Sequence, residues 1–217
     1  MNENANVATG LQLDFNKWKI VYVAVAMSAV LSAIALTMYG IEKKGIIHWL
    51  DATGRAGTIT FIAAFIASPL HKLFPNSLSR WLLKNRRFLG IAFGFQHLVF
   101  HLPAVIWFCA IAPVPIDAIV TGGLGFIILI PMLITSFNAP MKWLGSRNWK
   151  ILHKTGMFYL MFVFIISYFP GISGNPSLSK SYLINYAPLE SALLIGVFLR
   201  IIIFVRRTLL FKIWRDR

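Results

Sequence analysis

Carboxylates are scarce in this chain: seven Asp and Glu stand against 21 Lys and Arg in 217 residues, for a net charge of +14 with His neutral. All seven (Glu3, Asp14, Glu42, Asp51, Asp117, Glu190 and Asp216) fall in tails, loops or the ends of apolar stretches. A proton-coupled transporter relies on a carboxylate in mid-membrane, so that class is disfavoured. The single cysteine, Cys109, excludes an intrachain disulfide and any CxxC redox or zinc motif, and its place late in an apolar stretch reads as packing. No HExxH, GxSxG or dinucleotide fingerprint occurs, which leaves hydrolytic chemistry without a site. Gly122-Gly-Leu-Gly125 has no strand before it and no Lys-Ser/Thr after it, so close helix packing, not phosphate binding, is expected there. Low-complexity segments and internal repeats are lacking as well.

What the chain has in abundance is apolar sequence. Hydrophobic residues make up 58% and charged residues 13%, with mean hydropathy +0.71, the balance of a membrane protein. Runs long enough to span a bilayer fall at about 18–39, 54–70, 88–111, 119–137, 149–170 and 186–205. The fold class expected is an all-α integral membrane protein, a six-transmembrane-helix bundle forming one domain over 1–217, with no separate soluble catalytic domain. The first run is too long for a cleaved signal and lacks a basic start, so it is expected to stay. If the N-terminus is cytoplasmic, 17 of the 21 Lys and Arg lie on the cytoplasmic side, and only Lys43, Lys44, Arg55 and Lys180 lie opposite. That bias puts both termini inside and explains the basic charge without nucleic acid. Tryptophans, Trp214 among them, fall near run ends as interfacial anchors do. Pro69 and Pro75 follow the second run and Pro170 the fifth, while Pro103 and Pro131 lie within runs and should kink them.

Within the third run, His97 and His101 stand four residues apart, and Gly90, Gly94, His97 and His101 share one helical face. An imidazole in hydrocarbon must hydrogen-bond, line a wet cavity or hold a metal. A flat macrocycle needs an imidazole aimed at its iron and a gap without a side chain beside it, which glycine supplies. His153 and Gly156 repeat the arrangement in the fifth run, and neutral imidazole is an axial ligand of heme iron. From membrane crossings at Phe88 and Trp149, His97 lies roughly 13 Å deep, His101 roughly 20 Å and His153 about 6 Å. Depth therefore favours His97 with His153 as the ligand pair, with His101 lining the pocket or replacing His97. Arg86, Arg87 and Lys150 could meet heme propionates or lipid phosphates, and Arg55 has the same two readings. The bland alternative is that the histidines merely pack between helices. His71 reads as interfacial and His48 as a solvated loop residue.

Several short motifs resemble the ferric reductase-like transmembrane domain superfamily, whose bacterial heme-binding members include the membrane subunit of periplasmic methionine sulfoxide reductase systems (the YedZ/MsrQ type). They run in order along nearly the whole chain: Thr53-Gly54-Arg55, Arg86-Arg87-Phe-Leu-Gly90 and the histidines after it, Thr135-Ser136, then Leu144-Gly145 leading to Trp149 and Leu152-His153. The resemblance implies one or two b-type hemes bound between helices three and five. It also implies electron transfer from a quinol or a flavin reductase partner to an outside acceptor, in a bacterial inner membrane. By position His153 matches the first histidine of helix five, while His97 and His101 bracket the helix-three position. Family members often carry a second helix-five histidine about four turns on, where this chain has Ile165-Ile166-Ser167-Tyr168. One heme is therefore expected, with a low-spin spectrum, and a flavin or quinone is the other cofactor the resemblance allows. The flavin and nicotinamide domain of the larger ferric reductases is not in the sequence. Two other functions compete: a heme-free scaffold or accessory subunit of the same fold, and a small-solute transporter.

Overall fold

In a computed structural model of the protein, residues 16–169 and 180–215 are described, with the end of the last helix given by backbone alone. Pro170, the N-terminal residues before Asn16 and the side chain of Trp214 lie outside the described residues. The described chain is helical and contains no strand. Helix α1 (Trp18–Tyr39) ends at Gly40, whose φ of 75° is the left-handed conformation that glycine tolerates. Helix α2 (Lys43–Leu73) follows. Asn76 starts α3 (Ser77–Phe95) through a capping box, its side chain accepting from the Ser79 N–H at 2.8 Å while its own N–H donates to the Ser79 hydroxyl at 3.0 Å. The same rod continues through a π-helical turn, Gln96–His101, into α4 (Leu102–Ile111). Helix α5 (Ile116–Ile134) begins after Pro115 with Asp117 in its first turn, where the helix dipole favours an acid. The short α6 (Asn138–Leu144) turns at Gly145, φ 80°, into α7 (Ser146–Tyr168). Helices α8 (Lys180–Asn185) and α9 (Ala187–Arg215) complete the bundle.

Among the described residues, six helical rods are long and apolar enough to cross a membrane: Trp18–Tyr39, Lys43–Leu73, Ser77–Ile111, Ile116–Ile134, Ser146–Tyr168 and Ala187–Arg206. The expected six-helix membrane bundle is what the structure shows. Two boundaries need correction. The second rod starts at Lys43, not near 54, and the third at Ser77, not near 88. Both added segments mix apolar side chains with charges, Lys43, Lys44 and Asp51 in one and Arg80, Lys84, Arg86 and Arg87 in the other, and a helix can continue past the point where hydropathy falls, its basic side chains reaching sideways. Helix α2 also runs through Pro69 instead of ending before it. Proline cannot donate to the carbonyl four residues back, and the freed Phe65 carbonyl accepts from Arg200 Nη2 at 2.8 Å.

Helix α2 is the inner rod, packed on α1, α3 and α9, and α5 and α7 pack on each other at the opposite side. The core joins Phe61, Phe65, Phe93, Leu129, Leu160 and Phe164 from four of these rods. Large apolar side chains such as Ile59, Ile106, Ile127 and Phe162 face outward, as lipid contact requires. Cys109, expected to be packed, is exposed on that surface. Gln96 ties three rods together: its amide donates to the Ala24 carbonyl at 3.2 Å and the Ser28 hydroxyl at 3.0 Å, and its carbonyl accepts from Thr60 at 2.7 Å. Every polar atom of that buried side chain is thus engaged, the normal condition of a polar group in lipid.

Candidate functional site: two cavities and three histidines

Pro103 shapes the first site from a distance. It has no N–H for the Val99 carbonyl, and the rod relaxes into the wider π turn, in which the Leu102 N–H reaches back five residues to His97. That turn carries His97 and His101, whose ring centroids are 5.0 Å apart. The facing helix clears space for both. A Cβ at Gly57 would lie 2.2 Å from His97 Cε1, and one at Gly54 would lie 3.2 Å from His101 Cε1. The His101 ring is oriented by Thr53, whose hydroxyl donates to the Trp49 carbonyl at 2.7 Å and so accepts from His101 Nδ1–H at 3.1 Å. His97 differs from all its neighbours: it is 5% exposed, and neither ring nitrogen has a hydrogen-bond partner. Among the described residues the buried side-chain atoms left without a partner are the two His97 nitrogens and Arg200 Nε, and His97 stands next to a fully satisfied Gln96.

Both rings line a cavity of about 360 Å³ bounded by α2, α5 and α7. Gly122 leaves its α5 wall low, Phe164 and Ser167 stand on α7, and Asp51 and Tyr186 also line it. Burial and the Asp51 carboxylate push the Tyr186 phenol up from its usual value, so it keeps its proton and hydrogen-bonds Asp51. Arg55 does not enter this cavity; it is held by the Asn185 side chain at 2.7 Å and the Asp51 carbonyl at 3.1 Å.

His153 belongs to a second, larger cavity of about 750 Å³. Six cations line it, Lys84, Arg86, Arg87, Lys150, Lys154 and Arg200, with no carboxylate among the described lining residues. Arg86 and Arg87 are anchored by donating to the carbonyls of Ala64 at 3.2 Å and Ser136 at 2.7 Å. Gly90 borders it with open space where a Cβ would stand. The His153 ring stacks on Trp149 at 4.3 Å. Thr135 donates its hydroxyl to the Pro131 carbonyl at 2.6 Å, so it accepts from His153 Nε2–H at 3.1 Å. In this structure His153 Nε2 is thus paired with Thr135, unlike either nitrogen of His97.

The structure brings His97 and His101 together but does not bring either to His153. Phe164, the α7 residue packed on His97 at 5.5 Å, lies eleven residues beyond His153, roughly 16 Å along the helix. Phe61, Phe93 and Phe164, in mutual contact at 4.9 to 5.9 Å, fill the interval. The expected pairing counted depth from Phe88, whereas the helix begins at Ser77, and in this structure the two histidines stand at different heights in the bundle. The glycines differ too: the gaps at Gly94 and Gly156 are taken by Leu133 and by Met132 with Ile128, so these two serve packing. The glycines that matter to the histidines, Gly54 and Gly57, sit on α2. Their signal in the sequence is a pair three residues apart in a span antiparallel to His97-x-x-x-His101. His48 stacks on Tyr39 at 3.9 Å, and His71 contacts the Ser79 hydroxyl at 3.1 Å.

A six-helix membrane bundle with a buried histidine pair beside a basic cavity is the class that fold and site define. The chain is similar to heme-binding subunits named MsrQ of protein-methionine-sulfoxide reductase. It is 33% identical to that of Herminiimonas arsenicoxydans over 106 residues, which is 45% of this chain and 47% of that protein. It is 36% identical to that of Polaromonas naphthalenivorans over 34% of this chain and 36% of the relative. With the Ralstonia nicotianae protein it shares 28% identity over 63% of this chain and 66% of the relative. The matched part thus spans about half the length, or less, of the first two. The resemblance read from the motifs is borne out by these relatives. No protein-family model matches the chain, and no solved structure does.

Proposed function

We propose that this chain is a heme b-binding membrane subunit that passes electrons from a quinol or a flavin reductase partner to an acceptor across a bacterial inner membrane. The observation that carries the reading is His97, an imidazole buried at mid-bundle with both nitrogens unsatisfied, in a cavity whose facing helix is glycine where its ring rests. An iron bond would satisfy it. Heme, when bound, supplies a one-electron carrier. The residues of this chain do the rest: Gly57 admits the His97 ring, Thr53 fixes His101 beside it, and the aromatic core keeps water away. Arg86, Arg87, Lys150 and His153 form the face that receives an anionic or hydrogen-bonding donor, and the excess of cations there is the reason to set that face, with both termini, on the cytoplasmic side. Two of the three histidines thus have separate duties.

The test is a heme assay and the oxidised and dithionite-reduced spectra of the detergent-purified chain. About one heme per chain is expected in the wild type, with loss of most of it in H97A and retention in H153A. Unchanged heme in H97A would remove the ligand assignment. The separation of His153 from the pair also favours a second reading, a heme-free scaffold of the same fold. A monodisperse wild-type chain that takes up no heme, even with added hemin, would establish it.

A further inference from the structure

We infer that the iron held at His97 takes one ligand from the protein and keeps its other face open to a small diatomic ligand. The inference rests on the heme reading above and departs from the low-spin, doubly ligated site that a His97–His153 pair would make.

The sequence contains five histidines, and each has a known place. His48 stacks on Tyr39 near the start of α2, His71 is at the other end of that helix, and His153 lies beyond the Phe61, Phe93 and Phe164 barrier. Only His97 and His101 reach the cavity. They cannot be the two axial ligands of one iron, because both rings leave a single turn of one helix, and a macrocycle between them would have to pass through that backbone. Among the described lining residues no thiolate, thioether or amine is present. The oxygen groups are committed elsewhere: Tyr168 pairs with the Thr58 hydroxyl at 2.7 Å, Ser167 donates to the Val163 carbonyl at 2.8 Å, and Asp51 accepts from Tyr186. The α5 wall is low at Gly122, where a Cβ would meet nothing within 4 Å, while Gly125 packs on Leu160 of α7. The cavity therefore offers one imidazole and, elsewhere on its wall, room without a second strong ligand.

The purified full-length chain, loaded with heme, is to be examined by absorption spectroscopy in the ferric and dithionite-reduced states, with and without carbon monoxide. Expected are a high-spin ferric spectrum and a reduced spectrum that carbon monoxide shifts fully. New imidazoles on the cavity walls, F126H on α5 or S167H on α7, should give a low-spin spectrum in at least one case and cut the carbon monoxide response about tenfold. Retention of the full response in both would overturn the placing of the open face against these walls. A wild-type heme that is low-spin in both oxidation states and indifferent to carbon monoxide would overturn the inference while leaving the heme reading intact. If H153A then turned it high-spin, His153 would be the second ligand. A wild-type chain without heme overturns both readings at once.

Discussion

Gly57 and His97 form the tightest functional contact in the bundle, and a single methyl group tests it. An alanine at 57 would place its Cβ 2.2 Å from the His97 ring, against 3.2 Å between an alanine at 54 and the His101 ring. The neighbour on the other side is the Phe93 and Phe164 pair, at 4.4 and 5.5 Å from the His97 ring, so the imidazole has little room to retreat. We expect G57A to lose heme about tenfold and G54A no more than about twofold, since overpacking costs grow steeply below contact distance. Heme-to-protein ratios of the two purified variants measure this. The residues around the pair follow the rule that a buried polar group is satisfied; Gln96 and His101 obey it and His97 does not.

The π turn is where an element, not a residue, decides the site. Replacing Pro103 with alanine restores the N–H for the Val99 carbonyl, and the turn can close to ordinary α geometry. One residue of register is about 100° of rotation, enough to carry His97 off the Gly57 surface. P103A is therefore expected to keep its thermal stability in detergent but to lose most of its heme; full heme in P103A would show that the turn is not required. This part of the site was illegible in the sequence. Pro103 announced a disturbance within the third rod, but whether it would produce a kink or a widened turn depends on what α2 offers the freed side. Element existence was legible, because six long apolar runs in a short chain admit few arrangements. Element ends were not, because the charged turns holding Lys43, Lys44, Lys84 and Arg86 are helical yet hydropathy marks them as loop. The misplaced start of α3 is what aligned His97 with His153. The histidine pair itself was legible from spacing, whereas its glycine partners lie some forty residues away on another rod, as 97 against 57 shows.

At the scale of the whole molecule, the basic cavity and the charge bias give one orientation. Lys84, Arg86, Arg87, Lys150 and Lys154 line one cavity, and the positive-inside rule predicts that this end of the bundle faces the cytoplasm. A green fluorescent protein fused to the C-terminus should fluoresce, and alkaline phosphatase in its place should be inactive; the reverse result would invert the topology and put the basic cavity outside.

The septum of Phe61, Phe93, Leu129 and Phe164 lies between two cavities with different surroundings, and Leu129 touches both. No hydrogen-bonding group belongs to those four side chains, so a proton finds no stepping stone through them. An electron can tunnel where a proton cannot hop. If the chain carries electrons as proposed, this dry layer would act as a thin capacitor with an electronic leak, and each charge carried across the full membrane would exchange about 2.3 kcal/mol of work per 100 mV with the membrane potential. The energised state of the cell, and not only the supply of donor, would then set how readily the His97 site is reduced.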